Sequence, residues 1–128
     1  MLYQCTLNIP AGTLETAPVS AVLEFVSGTS TKREVIFHDG CNGNVHVRVN
    51  DAGWQLMPWN RDAWLHADGE TVVDESPYPV QGPHFEFTLY GYNADTVNDH
   101  EVILRVTMME GAEHPGLAKL ISALRGYA

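Results

Sequence analysis

The stretch Asn44-Val-His-Val-Arg-Val-Asn50 decides the fold class of this chain. Its three valines alternate with polar residues at every second position, and Asp51-Ala-Gly53 follows as a turn signal. A period of two residues is typical of a β-strand that has one face in the core and the other in water. The sequence therefore predicts a half-buried strand here, and the same period recurs along most of the chain.

Five groups of apolar residues repeat this alternation and are predicted to point inward. They are Tyr3, Cys5, Leu7 and Ile9; Val19, Ala21, Leu23 and Phe25; Val35 and Phe37; Phe85, Phe87 and Leu89; and Val102, Leu104, Val106 and Met108. Extended segments at Trp54–Met57 and around Val72 and Val73 bring the total to about eight strands. Because no helical segment separates these short strands, we expect an all-β, antiparallel two-sheet sandwich, an eight-stranded jelly roll.

Turn and loop signals divide the predicted strands. His38-Asp39-Gly40 indicates a tight connection, because Asp-Gly tolerates the positive φ angles of hairpin turns. Residues 58 to 69 are expected to form a long irregular loop. The segment 76–83 holds three prolines, which lack the backbone N–H of a ladder hydrogen bond, so it is expected to be an edge or a crossing loop.

Length and charge limit the classes of partner. The 128 residues fit one domain with one core, and the formal net charge is -9, from 16 acidic and 7 basic residues. The few Lys and Arg are scattered, so nucleic acid would be repelled. No segment has the ~18 consecutive apolar residues that span a bilayer, and the N-terminus lacks the pattern of a signal peptide. We expect a cytoplasmic product that is neither secreted nor inserted in a membrane.

The tail changes period after the last strand. Leu117, Leu120, Ile121 and Leu124 recur at the three-and-four spacing of a helix stripe, with Pro115 before them and Gly126 after. The sequence predicts a β-sandwich domain over residues 1–110 and a short helical tail over residues 111–128. A helix this short is marginal alone, so its stripe is expected to dock either on its own sandwich or on a neighbouring subunit.

Three patterns suggest chemistry, and each has a simpler interpretation. Six histidines invite comparison with metal-binding jelly rolls, but their spacing does not fit such a site. Residues 93–99 alternate oxygen ligands as a calcium loop does, without its central glycine and terminal glutamate, so a turn stabilised by Asn and Asp side chains is favoured. Cys41 lies near His38, yet no third group or oxyanion hole is evident, and it and Cys5 are predicted to be buried thiols. We expect no cofactor, no metal and no enzymatic activity.

Tryptophans mark the one candidate ligand surface. Trp54, Trp59 and Trp64 recur every five residues beside Asn60 and Asp62. Aromatic rings beside polar groups hold sugars in many lectins, and tryptophans of this kind also pin long loops onto a sandwich. Trp59 and Trp64 are therefore either candidate ligand contacts or loop anchors.

Several stretches together resemble a family of small β proteins encoded among the structural genes of tailed bacteriophages. The matching stretches run from residue 5 to about residue 108, in the family's order. They are Asn8-Ile-Pro-Ala-Gly-Thr13 with Pro18-Val19, Gly40-Cys-Asn-Gly-Asn-Val-His-Val-Arg48, Gln55-Leu-Met-Pro-Trp-Asn60 with Asp62 and Trp64, Asp68-Gly-Glu-Thr-Val-Val73, Gly91-Tyr-Asn-Ala-Asp95, and Asp99-His-Glu-Val102.

This resemblance implies a virion component without catalytic residues. It would decorate the outside of an icosahedral capsid as trimers or at local symmetry axes, so its partners would be copies of itself and the major capsid protein. Similar chains tend to stop soon after the position of Met108, whereas this chain continues to Ala128. The extra tail suggests an added contact. The alternative is a carbohydrate- or receptor-binding module of a phage tail.

Overall fold

A computed structural model describes residues 1–80 and 84–109 as ten β-strands. The strands are β1 (Leu2–Ile9), β2 (Val19–Glu24), β3 (Gly28–Phe37), β4 (Val45–Asp51), β5 (Trp54–Met57), β6 (Leu65–His66), β7 (Thr71–Asp74), β8 (Tyr78–Val80), β9 (Glu86–Asn93) and β10 (His100–Met109). Every pairing between them is antiparallel. The described residues contain no helix long and apolar enough to cross a membrane.

The strands form two sheets with the order of a jelly roll. One sheet runs β1-β10-β3-β7, with β8 also on β3, and the other runs β2-β9-β4-β5, with β6 also on β4. Strands β7 and β8 share one position beside β3, and β5 and β6 share one position beside β4, so the ten strands fill eight positions. The predicted all-β, antiparallel sandwich of jelly-roll type is confirmed. The predicted tail, residues 111–128, lies outside the described residues.

The core lies between the sheets and is built by the alternating apolar residues. Val45, Val47 and Val49 of the opening stretch are all fully buried, as are Val102, Leu104 and Val106 of β10. The first strand also follows its pattern, since Leu7 and Ile9 are buried while Tyr3 and Cys5 are half-buried. Burial of a valine- or leucine-sized side chain contributes about 1.5–3 kcal/mol, so this layer is the main stabilising feature of the domain.

Three details differ from the sequence-based expectations. The strand predicted at Arg33–Phe37 begins at Gly28, so only residues 25–27 connect β2 to β3. The predicted loop 58–69 contains β6, which pairs with His46 and Val47. The tight connection at Gly40 is present, with φ of 96°, but it joins β3 and β4 of different sheets and is therefore not a hairpin.

Candidate functional site

The outer surface of the β2-β9-β4 sheet carries a continuous group of aromatic and basic side chains. Because Val45, Val47 and Val49 point into the core, the alternating residues His46 and Arg48 must point outward. The neighbouring strands place Tyr92 opposite His46 and Tyr90 opposite Arg48, and β6 places His66 beside His46. We call the following six residues the aromatic face: His46, Arg48, Trp64, His66, Tyr90 and Tyr92.

The rings of the aromatic face pack mainly on one another. The His46 ring stacks on the Tyr92 ring, with centroids 4.5 Å apart and planes 1° apart. Trp64 meets the same tyrosine edge-on at 4.8 Å, and the Arg48 guanidinium lies 4.5 Å from the centre of the Trp64 ring. Stacking and cation–π contacts of this kind fix side-chain positions. The face is therefore ordered, and most of its rings are half-buried.

Burial controls the charge of this face. It lowers the pKa of His46 below its usual value of 6.5; the hydrogen-bonded carbonyl of Asn44 opposes this shift, and the neighbouring His66 adds to it. His46 is therefore neutral at pH 7 and can stack as an uncharged ring. Burial and the nearby Glu15 raise the pKa of Tyr92, so its hydroxyl stays protonated. Arg48 supplies the fixed positive charge.

A second aromatic group lies on the loop of residues 58–64. The buried Gln55 organises this loop, because its side-chain amide donates hydrogen bonds to the carbonyls of Pro58, Asn60 and Ala63 at 2.7, 3.1 and 3.2 Å. Trp59 on the loop is 65% exposed and meets Trp54, which is 46% exposed, at a centroid distance of 5.8 Å. These two residues form the exposed tryptophan pair.

The structure separates the two tryptophans that the sequence singled out. Trp64 contacts Tyr92 and Arg48 in the aromatic face, where it anchors the end of the loop to the sheet. Trp59 pairs with Trp54 and stays in solvent, and the Arg61 guanidinium lies 5.4 Å from the Trp54 ring. Trp64 is thus placed as a loop anchor and Trp59 as a surface ring. The candidate residues Leu117, Leu120, Ile121 and Leu124 lie outside the described residues.

The remaining candidate patterns have structural roles. Among residues 1–80 and 84–109, no three His, Cys, Asp or Glu side chains are grouped so as to hold a metal ion. The Asp95 carboxylate accepts hydrogen bonds from the backbone N–H groups of Val97 and Asn98 and contacts His100 at 3.1 Å, as the turn interpretation predicts. Those hydrogen bonds hold the pKa of Asp95 well below its usual range.

Cys41 is a core residue. Its side chain is fully buried, and burial, together with Asp68 and Asp39, raises the pKa of the thiol against the opposing hydrogen bond at His38. A thiol of this kind is protonated at neutral pH and is a poor nucleophile. The predicted buried interpretation of Cys41 is confirmed.

Comparison with known proteins shows similarity in fold alone. No protein-family model and no curated protein matches the chain. A chain in the "Cyanophage Pam1 capsid asymmetric unit" is similar in structure, with a TM-score of 0.54 and 16% identity, covering 83% of this chain and 81% of that one. The crystal structure of FLHE aligns over 86% of this chain and 97% of that one, at 12% identity and a TM-score of only 0.40. The first similarity shows a shared fold alone, and the second, with its low TM-score, carries no argument.

Proposed function

We propose that this chain is a bacteriophage virion structural protein that decorates the outside of the capsid. The observation that carries the proposal is the fold shared with a chain of a cyanophage capsid asymmetric unit over 83% of this sequence. It is supported by the ordered resemblance of residues 5–108 to small structural proteins of tailed phages. Neither source brings a catalytic residue with it, and the role needs none.

Decoration would depend on many weak contacts. Each copy adds a modest interface with the major capsid protein or with another copy, and repetition over the shell makes the total binding strong. Strand edges and the apolar stripe of the tail are the surfaces we assign to these contacts. Three copies around a symmetry axis is the arrangement implied by the resemblance.

Immunogold electron microscopy tests this role. An antibody raised against the purified protein is applied to particles produced by the phage genome that encodes the chain. We expect gold over the icosahedral shell. Labelling restricted to the tail would replace decoration by a tail role, and intact particles without label would contradict a virion role altogether.

The tail contact has its own test. A truncated variant ending at Glu110 should keep the β-sheet circular dichroism spectrum, because the buried core residues of the described part run only from Leu7 to Met108. It should occupy capsids less than the full chain does. Unchanged occupancy would remove the role assigned to Leu117, Leu120, Ile121 and Leu124.

A receptor- or carbohydrate-binding module is the second candidate function. The exposed tryptophan pair favours it, because large aromatic surfaces in solvent are unusual unless they bind something. Titration of tryptophan fluorescence with a panel of host surface glycans tests it. Saturable quenching that disappears in Trp59→Ala and persists in Trp64→Phe would support binding, whereas no response to any glycan would contradict carbohydrate binding at this pair.

A further inference from the structure

The first strand forms one edge of its sheet in the part of the chain that the structure describes. Strand β1 lies at the end of its sheet and pairs only with β10 among the described residues. Its eight residues include no charge, no proline and no glycine, and the pairing with β10 runs from Leu2 to Ile9 without a bulge. Proteins normally protect edges with charges, prolines, bulges or short strands, because a free edge accepts a further strand.

The other edges of the sandwich carry such protection. Strand β2 has six residues and ends on Glu24. Strands β5 and β6 have four and two residues, with an irregular register beside Asn50. Strands β7 and β8 have four and three residues and include Asp74 and Pro79. Strand β1 is therefore the one long, neutral edge of the described sandwich.

Successive residues of β1 direct their backbone N–H and C=O groups to opposite sides of the strand, so only every second residue can bond a new partner. The backbone of Met1 exchanges two hydrogen bonds with Met108. In an antiparallel pair every second residue bonds the same neighbour, so the odd residues of β1 bond β10 and the even ones face away. The outward backbone N–H and C=O groups belong to these four exposed residues: Leu2, Gln4, Thr6 and Asn8.

We propose that the β1 edge binds the β1 edge of a second copy of this chain, antiparallel across a two-fold axis at Cys5. In this register Leu2 lies opposite Asn8 of the other copy and Gln4 lies opposite Thr6, so all four outward N–H groups and all four outward C=O groups of each copy are paired. The same strand of each copy thus forms the contact, as in an isologous interface, where both copies use the same surface.

Charge favours a second copy at this edge. Two copies with a net charge of -9 each repel one another, so they approach most easily where the surface is neutral. The outward side chains of β1 are uncharged. On the adjoining strand, the cationic Arg105 lies opposite Gln4 and its Nε donates to Gln4 Oε1 at 2.7 Å, while the acidic Glu101 lies opposite Asn8. This proposal rests on one part of the proposed function, namely that copies of the chain associate with each other. It does not depend on the position of the protein in the virion. By itself it gives two copies, so it competes with the trimer implied by the resemblance.

Light scattering after size exclusion tests the contact on the purified full chain. We expect a dimer for the wild type and for Thr6→Val, which keeps the backbone N–H and a β-branched side chain. Thr6→Pro removes an outward N–H without touching the ladder to β10, and should weaken the dimer about tenfold or more. Thr6→Glu is the second variant, to be used if Thr6→Pro fails to fold. It places an acidic side chain from each copy at the contact and should also weaken the dimer.

Crosslinking tests the register. Cys5 faces Cys5 of the other copy at a non-hydrogen-bonded position, where Cα atoms lie about 4.5 Å apart, within the range of a disulfide. Diamide, which accepts the two thiol hydrogens, should give a dimer joined at Cys5, and Cys5→Ser should not crosslink. A monomer, a trimer unaffected by Thr6→Pro, or a dimer that forms no Cys5 crosslink would each overturn the proposal. Shell labelling of a monomeric protein would overturn this contact and leave the proposed function standing.

Discussion

At the scale of single residues, Arg33 carries a buried charge that the sequence pattern did not predict. Its side chain is 2% exposed, donates to the carbonyl and hydroxyl oxygens of Ser76 at 2.7 and 3.1 Å, and pairs with Asp74 at 3.0 Å. A buried guanidinium is tolerated only when it is paired and hydrogen-bonded. This group therefore fixes the segment between β7 and β8 against β3.

Asp74→Asn should destabilise the domain by about 2 kcal/mol at pH 7, because it leaves the Arg33 charge unpaired. Burial raises the pKa of Asp74, but hydrogen bonds from Ser76 and Arg33 outweigh it and hold this pKa below 3.8. The stabilisation is therefore present above about pH 4 and is lost as the pH falls through the lowered pKa. Urea unfolding should show the two proteins converging in acid.

Glu75→Gln is the matched control for this variant. The Glu75 side chain is 72% exposed and lies 3.9 Å from Lys32, so its loss should cost less than about 0.5 kcal/mol. An equal effect of the two substitutions at pH 7 would contradict the role given to the Arg33 pair.

Gly91 of β9 lies close to two side chains of the first strand. A Cβ atom there would lie 2.5 Å from Ile9 Cδ1 and 3.2 Å from Leu7 Cδ2, and Ile9 is fully buried. Gly91→Ala should therefore cost about 2 kcal/mol in unfolding free energy, through overpacking between the sheets. Gly53→Ala, at a position with open space around it, should cost less than about 0.5 kcal/mol in the same thermal or urea measurement. Equal costs would contradict the close approach.

At the scale of elements, the loop of residues 58–64 depends on one buried amide. Gln55→Leu removes the donor shared by three loop carbonyls and should destabilise the domain by about 2 kcal/mol. It should also change the acrylamide quenching of tryptophan fluorescence, because Trp59 would lose its fixed position. Asn60→Ala is the control, since the Asn60 side chain is exposed and its carbonyl is kept. Unchanged quenching in Gln55→Leu would contradict this organisation.

The positions of most strands were predictable because a strand with one buried face alternates apolar and polar residues. Val45, Val47 and Val49 carry that period without interruption, and the structure buries all three. The beginning of β3 was missed because Gly28 and Thr29 lack an apolar alternation, although β8 pairs with both. The two-residue strand β6 was missed because Leu65 and His66 are too short a segment to show a period.

The candidate site was less predictable than the strands. Three tryptophans in one segment indicated an aromatic surface, but the sequence could not tell which ring would be covered. Tyr92 and Arg48 decide this by contacting Trp64, and both come from strands distant in sequence. Such pairings depend on the register between β4 and β9, which a period of two does not specify.

At the scale of the whole molecule, the protein is an acidic jelly roll with one long, neutral edge strand among the described residues. The net charge of -9 makes copies of the chain repel one another and so disfavours random association. The uncharged strand β1 is the edge at which two copies can approach with the least repulsion. Both properties would suit the proposed decoration role, because a protein present in many copies must remain dispersed until it meets its own lattice. The fold supplies this combination, and the exposed tryptophan pair remains a separate surface.

Cryo-electron microscopy of the phage shell, with and without the gene for this chain, tests the proposed decoration role most directly. We predict density of jelly-roll shape on the outer surface of the wild-type capsid that disappears on deletion, while the underlying shell lattice remains. Identical shells in the two samples, or loss of density only from the tail, would contradict the capsid decoration role.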